Sequence, residues 1–354
     1  MSKKDKNLET KPRKKMNLFL KILLILLISI IIIVVVTFAT IYICLNKKLD
    51  KIDYVDLPKT DVYIDENVDT TLSDYRNIAL LGIDARSDTF SAGNRSDCIM
   101  IVSINQKTGD VKIASVYRDT YLNINGHGLD KVNHAYSYGG PALAITTLNK
   151  NLDLNISEFV AVNFDTVRTA VDSVGGVTIS LDSQEVKYIN GYINALNSQF
   201  GTSSSNINSA GTYTLDGVQA LAYSRIRYTD GGDYKRTERM RDVLMAVFNK
   251  AKSLGVGELN NLADIILPHI STNINKNEII NMIPKITQYN VVDNFGWPYE
   301  TKGITKDRWY GVPVDLETNV SDLHAQLFGQ ENYEPSSTVK EISQNIIDNT
   351  GYKK

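Results

Sequence analysis

Twenty-four consecutive residues, Ile22 to Leu45, carry no charge. As a helix they would extend about 36 Å, at ~1.5 Å per residue, against a hydrocarbon core of ~30 Å, so the run predicts a transmembrane helix. A cleaved signal peptide fits less well. Its apolar region is usually ~7–15 residues, and no small-x-small cleavage site follows here. Beyond the run, Lys47 to Ser73 shows no hydrophobic period and reads as a stalk or loose edge segment. Short apolar stretches then follow: Ile78–Ile83, Cys98–Ile104 and Val111–Tyr117 predict strands, the last two joined through Lys107-Thr108-Gly109-Asp110 as a hairpin.

Strands then alternate with helices. The pattern predicts a helix over Pro141–Leu152, a strand over Phe159–Asn163, and a helix capped by Asp165 that stops at Gly175-Gly176. A strand over Val177–Leu181 comes next. Residues 183–214, rich in Ser, Asn and Gly, read as a flexible insertion or lid. A helix over Val218–Tyr223 leads into an arginine-rich loop. A long helix over Lys235–Ser253 places Met240, Val243, Leu244 and Val247 at helical spacing. Further helices are expected near 258–269, 276–286 and 338–349, and a late strand over Gln288–Phe295. The reading is an α/β domain, a layered mixed sheet flanked by helices, over residues 74–350. It follows a 1–21 tail, a 22–45 membrane helix and a 46–73 linker.

Charge sharpens this division. The 354-residue chain has a net charge of -2, which argues against nucleic acid as a partner. Residues 1–21 alone hold eight Lys and Arg against two acidic residues, a net of +6, so the rest is near -8. Basic residues ahead of the apolar run predict a cytoplasmic N-terminus and a single-pass cell-membrane protein whose body lies outside the membrane. The two cysteines, Cys44 in the run and Cys98 in the body, predict neither a disulfide nor a Cys metal site.

Arginine use points to chemistry. The chain contains 26 Lys and 12 Arg, yet Arg225, Arg227, Arg236, Arg239 and Arg241 fall within 17 residues. A planar guanidinium grips phosphate with two prongs, which an ammonium cannot do. Arg225 and Arg227, if extended, share a face, and Arg236 and Arg239 share a side near a helix start that itself favours anions. A solvated helix start with salt bridges to Asp230, Asp233 and Glu238 explains the same residues equally well. A second constellation lies at strand ends: Asp84, Arg95-Ser96-Asp97 and Arg118-Asp119. Asp84 and Asp97 beside Arg95 and Arg118 suit a hard divalent cation next to phosphate, Mg²⁺ above all with Mn²⁺ as its substitute. His127, His134, His269 and His324 show no ligand spacing. Tyr136 and Tyr138 are by default core residues, although exposed aromatic faces also bind sugar rings.

Ordered motifs tie these pieces together. They are Asn77 to Asp84, Arg95-Ser96-Asp97, Ser115-Val116-Tyr117-Arg118-Asp119-Thr120-Tyr121, Lys131-Val132-Asn133-His134-Ala135-Tyr136 with Gly139-Gly140, and Val174-Gly175-Gly176-Val177. Leu215-Asp216-Gly217 leading to Arg225 and Arg227 comes next, then Gly232-Asp233 with Arg236 and Arg239. With the membrane helix ahead of them, the chain resembles the LytR-CpsA-Psr family of extracytoplasmic cell-wall enzymes, most strongly over Tyr75–Lys250. Met240 stands where that family usually has Gln. The resemblance implies an Mg²⁺-dependent phosphotransferase. It would move a teichoic acid, capsule or other wall glycopolymer from a polyprenyl pyrophosphate carrier to a peptidoglycan hydroxyl, with the lipid tail in an apolar channel. Arg95, Arg118, Arg225, Arg227, Arg236 and Arg239 would bind the pyrophosphate. Asp84 and Asp97 would hold the metal. Asp97, Arg118, Arg225 and Arg227 would be catalytic, with Asp97 preferred for deprotonating the acceptor. A lipid pyrophosphatase and a membrane-tethered precursor-binding regulator are the alternatives.

Overall fold

In the computed structural model of the chain, residues 36–37, 40–84, 90–286 and 288–354 are described. The basic tail 1–21 and most of the apolar run lie outside them. A helix covers residues 40–49, and among the described residues no helix is long and apolar enough to cross a membrane. Residues 51–73, expected as a linker, belong to the body. They supply strand β1 (Asp53–Tyr54) and helix α1 (Glu66–Thr71), which Asp65 caps by accepting from the amides of Asn67 and Val68.

Two long apolar runs make the centre of the sheet. Strand β2 (Tyr75–Ile83) pairs antiparallel with β3 (Ser96–Asn105), and β3 pairs antiparallel with β4 (Asp110–Val116), as the hairpin expectation required. A short hairpin, β5 (Tyr121–Ile124) and β6 (Gly128–Lys131), leads into helix α2 (His134–Leu152), which is kinked at Gly139 and Gly140. Strand β7 (Glu158–Asn163) then runs parallel to β2. Helix α3 (Phe164–Ser173) follows; its cap is Asn163, which accepts from Thr166 N, and the expected Asp165 lies in the first turn.

The segment expected as a loose lid is ordered. Strand β8 (Val177–Leu181) pairs with β9 (Gly211–Leu215), and helix α4 (Ser183–Phe200) connects them. Asp182 and Glu185 cap that helix reciprocally, and Ile189, Ile193 and Leu196 bury its inner face. Polar composition concealed an amphipathic helix with a strong start signal. Helices α5 (Gly217–Ser224), α6 (Gly232–Lys252) and α7 (Val256–Ile266) come next, followed by β10 (Ile270–Thr272) and α8 (Lys276–Met282). Strand β11 (Asn290–Trp297) pairs parallel with β4, the hairpin β12 (Thr301–Thr305) and β13 (Trp309–Pro313) follows, and α9 (Leu316–Phe328) and α10 (Ser337–Thr350) end the chain.

The main sheet has the order β1-β10-β7-β2-β3-β4-β11 with mixed directions. Alternation along its strands feeds two layers. Ala79, Leu81, Ile83, Ile99 and Ile101 pack with α2, α9 and α10 on one face. Ile78, Leu80, Met100 and Val102 face Met240 and Leu244 of α6 on the other. Helices α3, α4 and α5 close a separate core with β8 and β9.

Candidate functional site

The motif strands end together. Ile83 pairs with Ser96, and Ile99 pairs with Val116, so Asp84, the Arg95–Asp97 segment and Arg118 meet at one end of the central sheet. The register shifts between Gly82, opposite Cys98, and Ile83, opposite Ser96. Asp97 is therefore the extra residue of a β-bulge, a device that re-aims a side chain. Gly82 permits the close approach, because a Cβ there would lie 2.6 Å from that of Cys98.

Asp97 is the hub. Its Oδ2 accepts from Arg118 Nη1 at 2.6 Å and from Arg236 Nη2 at 3.0 Å. Its Oδ1 is buried and accepts no hydrogen bond. Burial alone would raise the Asp97 carboxyl, but Arg236 and Arg118 outweigh it and hold it below the ordinary carboxylate range. Asp233 joins the outer arginines: its Oδ1 lies 3.4 Å from Arg227 Nε and 3.3 Å from Arg236 Nη1. Arg225 places its guanidinium 5.6 Å from the ring centre of Phe164. Its backbone is helical, not extended, so the expected two-residue alternation with Arg227 does not hold there.

The cluster is over-supplied with cations. Burial pulls down the Arg225 and Arg236 guanidinium pKa values, and the neighbouring carboxylates do not fully restore them. Arg118 is raised, because Asp97 and Asp119 overcome its burial. A site in which two guanidinium groups lack full compensation favours a multiply charged anion. Asp84 and Arg95 sit exposed at its rim, the Asp84 amide donating to the Arg95 carbonyl at 3.0 Å.

Arg239 stands apart from the other expected phosphate ligands. Its Nε donates to Glu185 Oε1 at 2.8 Å, Nη1 to the Ile226 carbonyl at 3.1 Å and Nη2 to Thr229 Oγ1 at 2.7 Å. Ile226 separates Arg225 from Arg227, so Arg239 positions the loop that presents them. Arg241 points to the sheet, donating to Asn294 and Ser115. Glu185, which holds Arg239, escaped the sequence reading, because nothing local to either residue announces the pair. Asp233, expected as a salt-bridge partner, bridges Arg227 and Arg236, and Lys131, known only as part of a motif, meets Asp119 at 2.7 Å beside Arg118.

An apolar cavity begins where the charges end. Arg236 and Met240 are one helical turn apart on α6. Met240, Val243, Leu244 and Val247 line a cavity of about 210 Å³ with Leu80, Gly82, Cys98 and Met100 of the sheet. A second apolar cavity of about 440 Å³ lies along the same sheet face and shares Leu244. Met240 thus forms cavity wall where a Gln would present an amide. Among the described residues no cluster of three or more His, Cys, Asp or Glu could hold a metal. Asp97 Oδ1 with the exposed Asp84 remains a donor set of the kind Mg²⁺ accepts when substrate and water supply the other ligands.

Comparison with known proteins agrees with this arrangement. The model of the LytR_cpsA_psr family matches residues 39–321. The polyisoprenyl-teichoic acid–peptidoglycan teichoic acid transferase TagT of Bacillus subtilis strain 168 is 33% identical over 234 residues, 64% of this chain and 70% of its own. The corresponding transferase TagU of Oceanobacillus iheyensis is 32% identical over 255 residues, covering 69% and 72%. The structure of the family protein YwtF (TagT) with bound octaprenyl pyrophosphate lipid superposes with a TM-score of 0.51. It shares 25% identity over 78% of this chain and 91% of that one.

Proposed function

The chain belongs to the LytR-CpsA-Psr family, and from that premise we propose that it transfers a teichoic acid or related glycopolymer from polyprenyl pyrophosphate to peptidoglycan. One observation carries the reading. A buried arginine cluster around Asp97 adjoins an apolar cavity: Cys98 next to Asp97, Ser224 next to Arg225, and Met240 one turn beyond Arg236 all line it. That is the shape of a ligand with a pyrophosphate head and a hydrocarbon tail.

The acceptor hydroxyl attacks the phosphorus that carries the polymer, the bond to the bridging oxygen breaks, and polyprenyl phosphate leaves. Such transfer passes through a loose transition state that needs mainly positioning and charge stabilisation. Arg118 and Arg236 anchor one side of the pyrophosphate, Arg225 and Arg227 close the other, and Arg95 stands at the rim. Asp97 sets the two inner guanidinium groups. Its depressed pKa makes it a poor base, so the hydroxyl proton leaves late, to the oxygens of the departing phosphate. Mg²⁺ or Mn²⁺ held by Asp97 Oδ1 and Asp84 would add neutralising charge.

The apolar run 22–45 and basic tail support a single-pass membrane protein with a cytoplasmic N-terminus and an external body. Tethering keeps the enzyme where both substrates meet. The test is reconstitution of the full chain in vesicles with lipid-linked polymer and peptidoglycan. New polymer–peptidoglycan phosphodiesters are expected. Release of free phosphorylated polymer alone would make it a hydrolase, and binding without turnover would make it a regulator.

A further inference from the structure

Transfer at phosphorus places the attacking and leaving oxygens roughly in line. In the transfer reading, the tail of the leaving lipid phosphate takes the apolar cavity lined by Met240, Val243, Leu244 and Val247. The nucleophile must therefore arrive from the opposite end of the clamp, past the first turn of α6. That side is bordered by the β5–β6 and β12–β13 hairpins. Lys131 of β6 meets Asp119, and the Gly311 amide of β13 donates to the Asp119 carbonyl at 3.0 Å. Tyr234, in the first turn of α6, meets Thr301 of β12 at 2.7 Å.

An unusual aromatic pair stands on this border. Tyr136 is fully buried, but Tyr138 is 44% exposed. Its ring stacks on that of His127, with centroids 4.3 Å apart and planes 13° from parallel. Its hydroxyl donates to Asp130 Oδ2 at 2.7 Å, and the same carboxylate oxygen lies 2.8 Å from His134 Nδ1. Exposed tyrosines ordinarily keep their rotamer freedom. This one is clamped at its ring face and at its tip, so a ligand stacking on it would freeze little. The adjoining Ser137 carbonyl accepts from Gly93 N at 2.9 Å, which ties this turn to the loop that enters Arg95–Asp97. Lys131, next to Asp130, places its ammonium 5.7 Å from the ring centre of Tyr310 on β13, and the Tyr310 hydroxyl donates to Asp307 Oδ1 at 2.8 Å, which brings the Asp307–Arg308 ion pair at the tip of the β12–β13 hairpin to this border.

We propose that His127 and Tyr138, beside the tip of the β12–β13 hairpin, form the docking platform for the peptidoglycan acceptor glycan, holding a sugar ring against the Tyr138 face that His127 leaves uncovered. Aromatic faces suit the apolar face of a pyranose, and the flanking charged pair suits its hydroxyl and peptide groups. The polymer end of the donor also leaves the clamp on this side, so the experiment must separate the two glycans. The inference rests on the transfer reading.

The test uses the full chain in vesicles and follows phosphodiester formation while peptidoglycan fragment and lipid-linked polymer are varied separately. Tyr138→Ala and His127→Ala are expected to raise the acceptor KM roughly tenfold, with donor KM unchanged and slow release of the donor's polymer to water retained. Tyr138→Phe, which keeps the ring, should lose only part of that. An unchanged acceptor KM in all three variants overturns the platform and leaves the transfer reading intact. A donor KM that rises in step assigns the surface to the polymer and also overturns it. Absence of any linkage with the unaltered chain defeats the transfer reading, and the platform with it.

Discussion

Asp97→Asn separates the charge of the hub from its shape. The carboxylate neutralises Arg118 and Arg236 at 2.6 and 3.0 Å, and only 8% of the residue is exposed. Removing the charge leaves two guanidinium groups facing each other in a site already rich in cations. Breaking a buried pair of this kind costs about 3–5 kcal/mol. At about 2 °C per kcal/mol for a body of this size, the melting temperature should drop by roughly 6–10 °C. The effect on the ligand runs the other way. One negative charge at ~8 Å, at an effective dielectric of ~20, opposes each unit charge of a bound pyrophosphate by about 2 kcal/mol. In magnesium-free buffer the variant should therefore bind inorganic pyrophosphate at least about thirtyfold more tightly, a difference calorimetry reads directly. Its melting temperature should also rise more on adding pyrophosphate than that of the unaltered protein. With magnesium and the lipid donor, transfer should fall by at least a hundredfold, since tighter ground-state binding does nothing for the transition state. A variant equally stable and no tighter for pyrophosphate would refute the placement of Asp97 between two anion-binding arginines.

Other perturbations probe the remaining parts. Asp84→Asn, at an exposed position, should leave the melting temperature unchanged while raising the magnesium concentration needed for half-maximal transfer; equal loss with and without added metal would remove Asp84 from the metal site. Arg239→Ala strands Glu185 and frees the loop at Ile226, so a loss of about 3–5 kcal/mol is expected in denaturant unfolding. Val243→Trp fills the 210 Å³ cavity and should cut turnover of the polyprenyl donor more than tenfold, while affinity for inorganic pyrophosphate is retained. His324 is fully buried and stacked on Tyr333 at 3.7 Å, and burial holds its pKa below 6.5. Its neutral form is the one folded. Stability should therefore be full above pH ~6.5 and decline as pH falls below it, and His324→Gln should flatten that part of the melting curve against pH.

What the sequence disclosed followed the length scale of each signal. Short continuous apolar runs such as Ile78–Ile83 and Cys98–Ile104 are local, and they located the central strands and, through their ends, the cluster of Asp84, Asp97 and Arg118. The scarcity of arginine marked the 225–241 segment. Composition misled at 183–214, where Ser and Asn outweighed the Ile189, Ile193 and Leu196 stripe. Pairings across the chain were beyond local pattern. Nothing near Arg239 announces that Glu185, 54 residues earlier, neutralises it and turns a presumed ligand into a support. Tyr136 and Tyr138 are alike in sequence and two apart, yet at ~100° per residue they point to nearly opposite sides of the first turns of α2, one buried and one exposed.

The bulge at Asp97 explains how one site serves a head and a tail with opposite solvation needs. Along β3, strict alternation would turn Asp97 to the face of Ile99 and Ile101, burying a carboxylate among α2, α9 and α10 with no cation to meet it. The extra residue brings Asp97 instead toward α6, on the same side as Cys98 and Met100. Helix α6 makes the matching change on its own side, from Arg236 to Met240 in a single turn of about 5.4 Å. Both walls therefore pass from charged to apolar at the same level. That level fixes how deep an amphiphile can enter, because moving it by one turn would strand a phosphate among aliphatic side chains or leave two arginines without an anion. Register of the lipid, and with it the position of the reacting phosphorus, is set by a one-residue irregularity in a strand.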